Sequence, residues 1–173
     1  LDEKIACGTR NFAKEPAMTE KETLDAIDTG VRLVKQCKEN GYQILATGEM
    51  GIGNTTTSSA VTAALLHRLA SETAGRGAGL NDKGLSRKKQ VIQEAIDRYD
   101  LYKADAFTVL QTVGGFDIAG LTGVFIGGAM YHVPIVLDGL ISGAAALLAK
   151  RIIPGTEHFM IASHLGKEPA AKA

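Results

Sequence analysis

The sequence predicts an α/β protein in which helices cover a parallel sheet. Three observations carry that expectation. Short apolar runs near 42–47, 134–138 and 159–162 alternate with longer segments of helical period, the order that builds parallel, helix-covered sheets. The first run leads straight into a glycine turn and a hydroxyl-rich helix start, Ala46-Thr47-Gly48-Glu49-Met50-Gly51-Ile52-Gly53-Asn54-Thr55-Thr56-Thr57. The 173 residues include 20 glycines and few aromatics, which suits one domain with many tight turns. Three strands are few for such a sheet, so further pieces are expected.

The elements follow in order. Leu1 to Met18 has no sustained period and reads as an irregular lead-in. Thr19 and Glu22 form a capping-box pair. Leu24, Ile27, Val31, Val34 and Cys37 then recur at helical spacing until Asn40-Gly41 stops the helix. After the first strand and the turn, a helix is expected over Ser58–Leu69. The glycine-rich stretch from Gly75 to Gly84 is either a surface connector or a lid. A helix over Leu85–Leu101 would point Val91, Ile92, Ala95, Ile96 and Tyr99 inward. Its first turn would hold Arg87, Lys88 and Lys89, where cations oppose the helix dipole. That cluster is either a solvated face or a receiver for an incoming anion.

A short helix follows over Ala104–Val113, then a second glycine turn, Gly114-Gly115-Phe116-Asp117. Asp117 is expected to cap the apolar helix Ile118–Tyr131, whose glycines at 120, 123, 127 and 128 permit close packing on a sheet or partner helix. Pro134–Leu137 reads as a buried strand ending at Asp138. A carboxylate there either contacts a ligand at the carboxyl end of the sheet or caps the helix Leu140–Lys150. Phe159–Ala162 is the last strand, and a loop runs from Ser163 to Pro169.

Composition narrows the function. Nineteen basic and nineteen acidic residues cancel, which argues against a nucleic-acid or anionic-membrane partner. Cys7 and Cys37 have no metal or CxxC spacing, so they are expected as reduced thiols in a cytoplasmic protein. The histidines at 67, 132, 158 and 164 show no metal spacing either, and only His164 falls beside a candidate site. From Ile118 to Leu137 no residue carries a formal charge, and Gly123 and Gly127 make a GxxxG. The length would permit a membrane span, but Pro134 and the glycines favour a buried helix and strand, and no span is expected. The chain begins with leucine and carries no signal segment, so it reads as a processed, truncated or partial product.

The turn at 48–56 suits an anion. Glycines let the backbone approach a ligand, and the following helix aims unpaired N–H groups at the turn. Asn54, Thr55 and Thr56 are also good caps, so an ordinary strand–helix connection competes with that reading. A carboxylate would repel phosphate, so Glu49 is expected to face a sugar hydroxyl or a reacting base. The stretch lacks the lysine of a P-loop and the spacing of a dinucleotide fingerprint.

As a string, Gly48-Glu49-Met50-Gly51-Ile52-Gly53-Asn54-Thr55-Thr56 closely resembles the signature of the nicotinate-nucleotide:dimethylbenzimidazole phosphoribosyltransferase family. Further blocks fall in the family's order: Gly8-Thr9-Arg10-Asn11, Pro16-Ala17-Met18-Thr19, Gly75 to Leu80, Gly114 to Leu121, Pro134 to Ser142, and Ser163-His164 with Glu168-Pro169. The resemblance covers essentially the whole chain. It implies a Rossmann-like parallel sheet, a homodimer, no cofactor, and phosphoribosyl transfer from nicotinate mononucleotide to 5,6-dimethylbenzimidazole. The products would be α-ribazole 5′-phosphate and nicotinate, in cobalamin biosynthesis. The roles it implies begin with Gly51, Gly53, Asn54, Thr55 and Thr56 on phosphate or ribose. Gly77, Gly79 and Asp138 would lie at the substrate, Lys88 would neutralise phosphate, and Glu49 would support the ribose or its developing cation.

Departures from the family's pattern qualify this. The family's base is a glutamate in a Gly-Glu-Gly-Thr-Gly-Ala block, which would fall beyond Ala173. An N-terminal region that helps form the benzimidazole pocket has no counterpart here, and Gly166 stands where many members carry serine. The expectation is therefore one nucleotide-binding domain over residues 1–173, the central portion of the enzyme without its base. A non-catalytic nucleotide-binding module of the same fold is the alternative. A purely structural subunit would leave Glu49 and the glycine loops without a task.

Overall fold

Thr19 sets the first helix. In the computed structural model, which describes residues 2–164 and 166–172, the Glu22 N–H donates to the Thr19 hydroxyl. The Thr19 N–H donates back to the Glu22 carboxylate at 2.7 Å, closing the capping box. Helix α1 (Glu20–Glu39) ends at Asn40, and Gly41 follows with φ of 88°. Arg10 donates to both Glu22 oxygens at 2.7 and 3.1 Å, tying the lead-in to the helix start.

Those bonds set a pH dependence. Hydrogen bonding from Arg10, then from the Thr19 N–H, holds the Glu22 carboxyl down to about 2 against an ordinary 4.5. A carboxyl depressed in the fold contributes stability above its ordinary value and loses it as pH falls toward the depressed one. Urea midpoints should therefore drop between about pH 4.5 and 2 by less in Glu22→Gln than in the parent. Parallel pH profiles would remove Glu22 from the account of acid sensitivity.

The sheet has three parallel strands in the order β1-β2-β3: β1 (Leu45–Ala46), β2 (Ile135–Leu137) and β3 (Met160–Ala162). Leu45 pairs with Ile135, and Val136 pairs with Ile161. Each strand is shorter than its apolar run, and Tyr42 and Ile44 lie exposed outside the pairing.

Six further α-helices surround the sheet among the described residues. Helix α2 (Thr55–Leu66) starts three residues before the predicted Ser58 and ends at His67, which takes a left-handed conformation. Ser58 to Leu65 are all buried, because α3, α4, α5 and α7 pack around this helix. Helix α3 (Ala70–Thr73) was not predicted. Helix α4 (Asp82–Arg98) begins three residues before Leu85, since the Asn81 side chain accepts from the Gly84 N–H. Helices α5 (Ala106–Val113), α6 (Phe116–Tyr131) and α7 (Leu140–Ile152) complete the set.

The predicted Asp117 cap is corrected, and the capping alternative for Asp138 does not hold either. Gly115 and Gly139 occupy the cap positions of α6 and α7, and neither Asp117 nor Asp138 makes a side-chain cap. Gly120, Gly123 and Gly127 of α6 face α1, whereas Gly128 faces Val133 and the β2 residue Ile135. A Cβ on Gly30 would lie 2.0 Å from the Gly120 carbonyl oxygen, and one on Gly123 would lie 1.9 Å from that of Ile27. The uncharged stretch from Ile118 thus divides into a helix and a strand. Among the described residues no helix is long and apolar enough to cross a membrane.

Candidate functional site

Gly51 and Gly53 have φ of 71° and 81°, left-handed values that a side chain resists. The resulting turn folds Glu49 back on itself. Its Oε1 accepts the Gly51 N–H at 2.6 Å, and its Oε2 accepts from Asn54 Nδ2. The same Asn54 nitrogen donates to Asp117 Oδ2 at 2.7 Å. The Gly51 amide, expected to face phosphate or ribose, is therefore taken by Glu49. The Asn54 side chain, expected to cap α2, instead joins two carboxylates. Each Glu49 oxygen keeps a lone pair that can accept a further hydroxyl.

Across from this turn stands the loop after Gly75. Gly51, Gly53, Thr55 and Thr56 face Arg76 and Gly79 over a cleft of ≈ 340 Å³. The first N–H groups of α2 have no partner within the helix and open on this cleft, an arrangement that favours an anion. Gly77 makes the close approach possible, for a Cβ there would sit 2.6 Å from Thr55 Oγ1. Arg76 is engaged by Asp82 at 2.5 Å and the Leu80 carbonyl at 2.8 Å, which closes the loop on itself.

Lys88 lies behind Thr55. It falls in the second turn of α4 and is 5 % exposed, so neither the first-turn placement nor the solvated face holds for it. Its Nζ donates to Thr55 Oγ1 at 2.9 Å and to the Gly75 carbonyl at 3.0 Å. Burial pushes the Lys88 pKa down, and the negative charge of Glu168 opposes that shift. Glu168 Oε2 is buried without a hydrogen-bond partner, and a Cβ on Gly75 would overlap it at 1.7 Å. Sequence reasoning does not count Glu168 among the site residues. Its signal is the Glu168-Pro169 block.

Asp138 is not brought into this cleft. With His164, Gly166 and Thr62 it lines a second one of ≈ 430 Å³ at the carboxyl end of β2. Ser163 Oγ donates to the Leu137 carbonyl at 2.5 Å and lies 2.8 Å from His164 Nδ1. Among the described residues no group of three or more His, Cys, Asp or Glu is placed to hold a metal ion.

Fold and cleft together define an α/β protein with an anion-suited, glycine-lined cleft at a helix N-terminus. The profile of a family described as Phosphoribosyltransferase matches residues 1–173. A nicotinate-nucleotide–dimethylbenzimidazole phosphoribosyltransferase of Ruminiclostridium cellulolyticum is 48 % identical over 172 residues, 99 % of this chain and 49 % of its own length. One from Clostridium perfringens is 44 % identical over 97 % of this chain and 46 % of its own. The crystal structure of CobT from Thermus thermophilus superposes with a TM-score of 0.94 at 37 % identity, covering 99 % of this chain and 51 % of that one. The chain belongs to the nicotinate-nucleotide–dimethylbenzimidazole phosphoribosyltransferase family. It spans about half the length of the curated relatives it matches.

Proposed function

We propose that this chain supplies the mononucleotide-holding part of a phosphoribosyltransferase. The reaction moves phosphoribose from nicotinate mononucleotide to 5,6-dimethylbenzimidazole and yields α-ribazole 5′-phosphate and nicotinate, a step of cobalamin biosynthesis. The observation that carries this reading is the ≈ 340 Å³ cleft between the Glu49 turn and the glycine loop, in a chain of this family.

The phosphate sits against the free N–H groups of α2, with Gly53 and Gly79 beside it and the Lys88 charge one hydroxyl behind. Thr55 accepts from Lys88, so its own proton is free to donate to a phosphate oxygen. Glu49 faces the ribose, accepting a hydroxyl on the lone pairs left over from Gly51 and Asn54. Its negative charge also steadies the oxocarbenium-like centre that forms when the nicotinate bond breaks. Asp138 and His164 line the neighbouring cleft, which suits the acceptor base. The enzyme works as a cytoplasmic homodimer, a reading that rests on the family resemblance. The curated relatives are named as transferases, which disfavours a non-catalytic module.

Calorimetry with nicotinate mononucleotide tests the assignment. Glu49→Ala should weaken binding about tenfold, the worth of one charge-assisted hydrogen bond. Gly53→Val should weaken it further, since valine resists the positive φ at that position. Circular dichroism must match the parent in both variants. Unchanged affinity in both would remove the mononucleotide from this cleft.

A further inference from the structure

Asp117 has no counterpart in the reading above. It opens α6, yet its Oδ2 reaches across to Asn54 rather than back to its own helix. Gly115 leaves the room, for a Cβ there would come within 2.7 Å of Asp117 Oδ1. Asn54 is 8 % exposed, and its Oδ1 is buried without a partner. An amide nitrogen carries two donors, and here one serves Glu49 and the other Asp117. Turned the other way, the amide oxygen would face both carboxylates. Charge therefore fixes the amide, although its oxygen goes unpaired.

We propose that Asp117 is a positioning residue for Glu49, acting through Asn54. The line runs from Asp117 to Asn54, to Glu49 and to the Gly51 N–H, and it joins the second glycine turn to the first. Without Asp117, Asn54 loses one of the two anchors on its nitrogen. Its amide is then held by Glu49 alone and can swing with it, so the pair is no longer fixed between the two glycine turns. Glu49 then lets go of Gly51 and no longer meets the ribose at a fixed angle. The consequence for the ligand rests on the mononucleotide reading, whereas the consequence for Gly51 does not.

The test uses the full chain in three forms: parent, Asp117→Asn and Asp117→Leu. Asparagine keeps an oxygen that can accept from Asn54, and leucine does not. In ¹H–¹⁵N spectra without ligand, leucine should move the Gly51 backbone amide and the Asn54 side-chain pair. Asparagine should hold both near their parent positions. Nicotinate mononucleotide binding should fall about tenfold in the leucine variant and much less in the asparagine one. A purely structural role at the start of α6 would lower the melting temperature and leave the Gly51 resonance in place, and that result overturns the proposal. If the parent itself binds no mononucleotide, the substrate reading fails, and the Gly51 resonance still decides the role of Asp117. Should leucine prevent folding, Asp117→Ala supplies the same comparison with a smaller side chain that likewise cannot accept from Asn54. An unmoved Gly51 resonance in that variant overturns the proposal as well.

Discussion

Valine in place of Gly123 is expected to cost at least about 3 kcal/mol of folding stability or to prevent folding. Its Cβ would fall 1.9 Å from the Ile27 carbonyl oxygen and 2.8 Å from the carbonyl carbon, both atoms of the α1 backbone. Backbone cannot rotate aside as a side chain does, so α1 and α6 would have to separate along their length. Gly30 meets the same limit from the other helix, 2.0 Å from the Gly120 oxygen. Gly143 is the control. It lies within α7 with nothing within 4 Å of an added Cβ, so alanine there should gain up to about 1 kcal/mol from helix propensity alone. Urea unfolding followed by circular dichroism measures both. A Gly123→Val variant within about 1 kcal/mol of the parent would mean that the helices are not in backbone contact.

Lys88→Met should also have a large effect, on binding and on stability together. The buried ammonium bonds the Thr55 hydroxyl and the Gly75 carbonyl, and it supplies the positive charge opposite Glu168. Methionine fills similar space and leaves these groups unmet, and breaking a buried charged arrangement from one side costs about 3–5 kcal/mol. Glu168→Gln in the same chain should return part of that loss, as expected for coupled neighbours. The ligand comparison separates the two roles. If the Lys88 charge reaches a phosphate through Thr55, Lys88→Met weakens nicotinate mononucleotide more than the unphosphorylated nucleoside. Equal losses for the two ligands would leave Lys88 as a support for the loop alone.

Local chemistry was readable at the ends of α1, where the partners are close in sequence and the signal has one meaning. Thr19 and Glu22 are three residues apart, and the box they form is present. Asn40 and Gly41 ended α1 as composition implied. Errors arose where a local signal had two meanings. Asp82-Lys83-Gly84 reads as loop because of its glycine, yet Asn81 captures the Gly84 N–H and starts α4 there. That shift moved Lys88 from a first turn into the interior. Its contacts, Thr55, Gly75 and Glu168, come from three other segments, and no spacing within 85–101 announces them. Asp117 misled in the same way. An acid before an apolar helix resembles a cap, and its actual partner lies on a turn 63 positions away. The Glu49 turn was legible as a string and as an anion-suited shape. That Glu49 would occupy the Gly51 amide was not, since backbone φ values decide it.

The order of the strands bears on how the chain acquires its shape. Leu45 meets Ile135, so the first pairing of the sheet joins ends separated by α2 through α6. Closing so long a loop is entropically costly before any contact rewards it, and parallel pairings of this kind form slowly. During synthesis β1 leaves the ribosome long before β2 exists, with Tyr42 and Ile44 uncovered. Helices α1 and α6 are the natural early partners, since docking them carries β2 toward β1. The glycines along their seam therefore govern the rate of maturation as well as the final stability, and the interval before they meet is when an exposed strand edge is most open to aggregation.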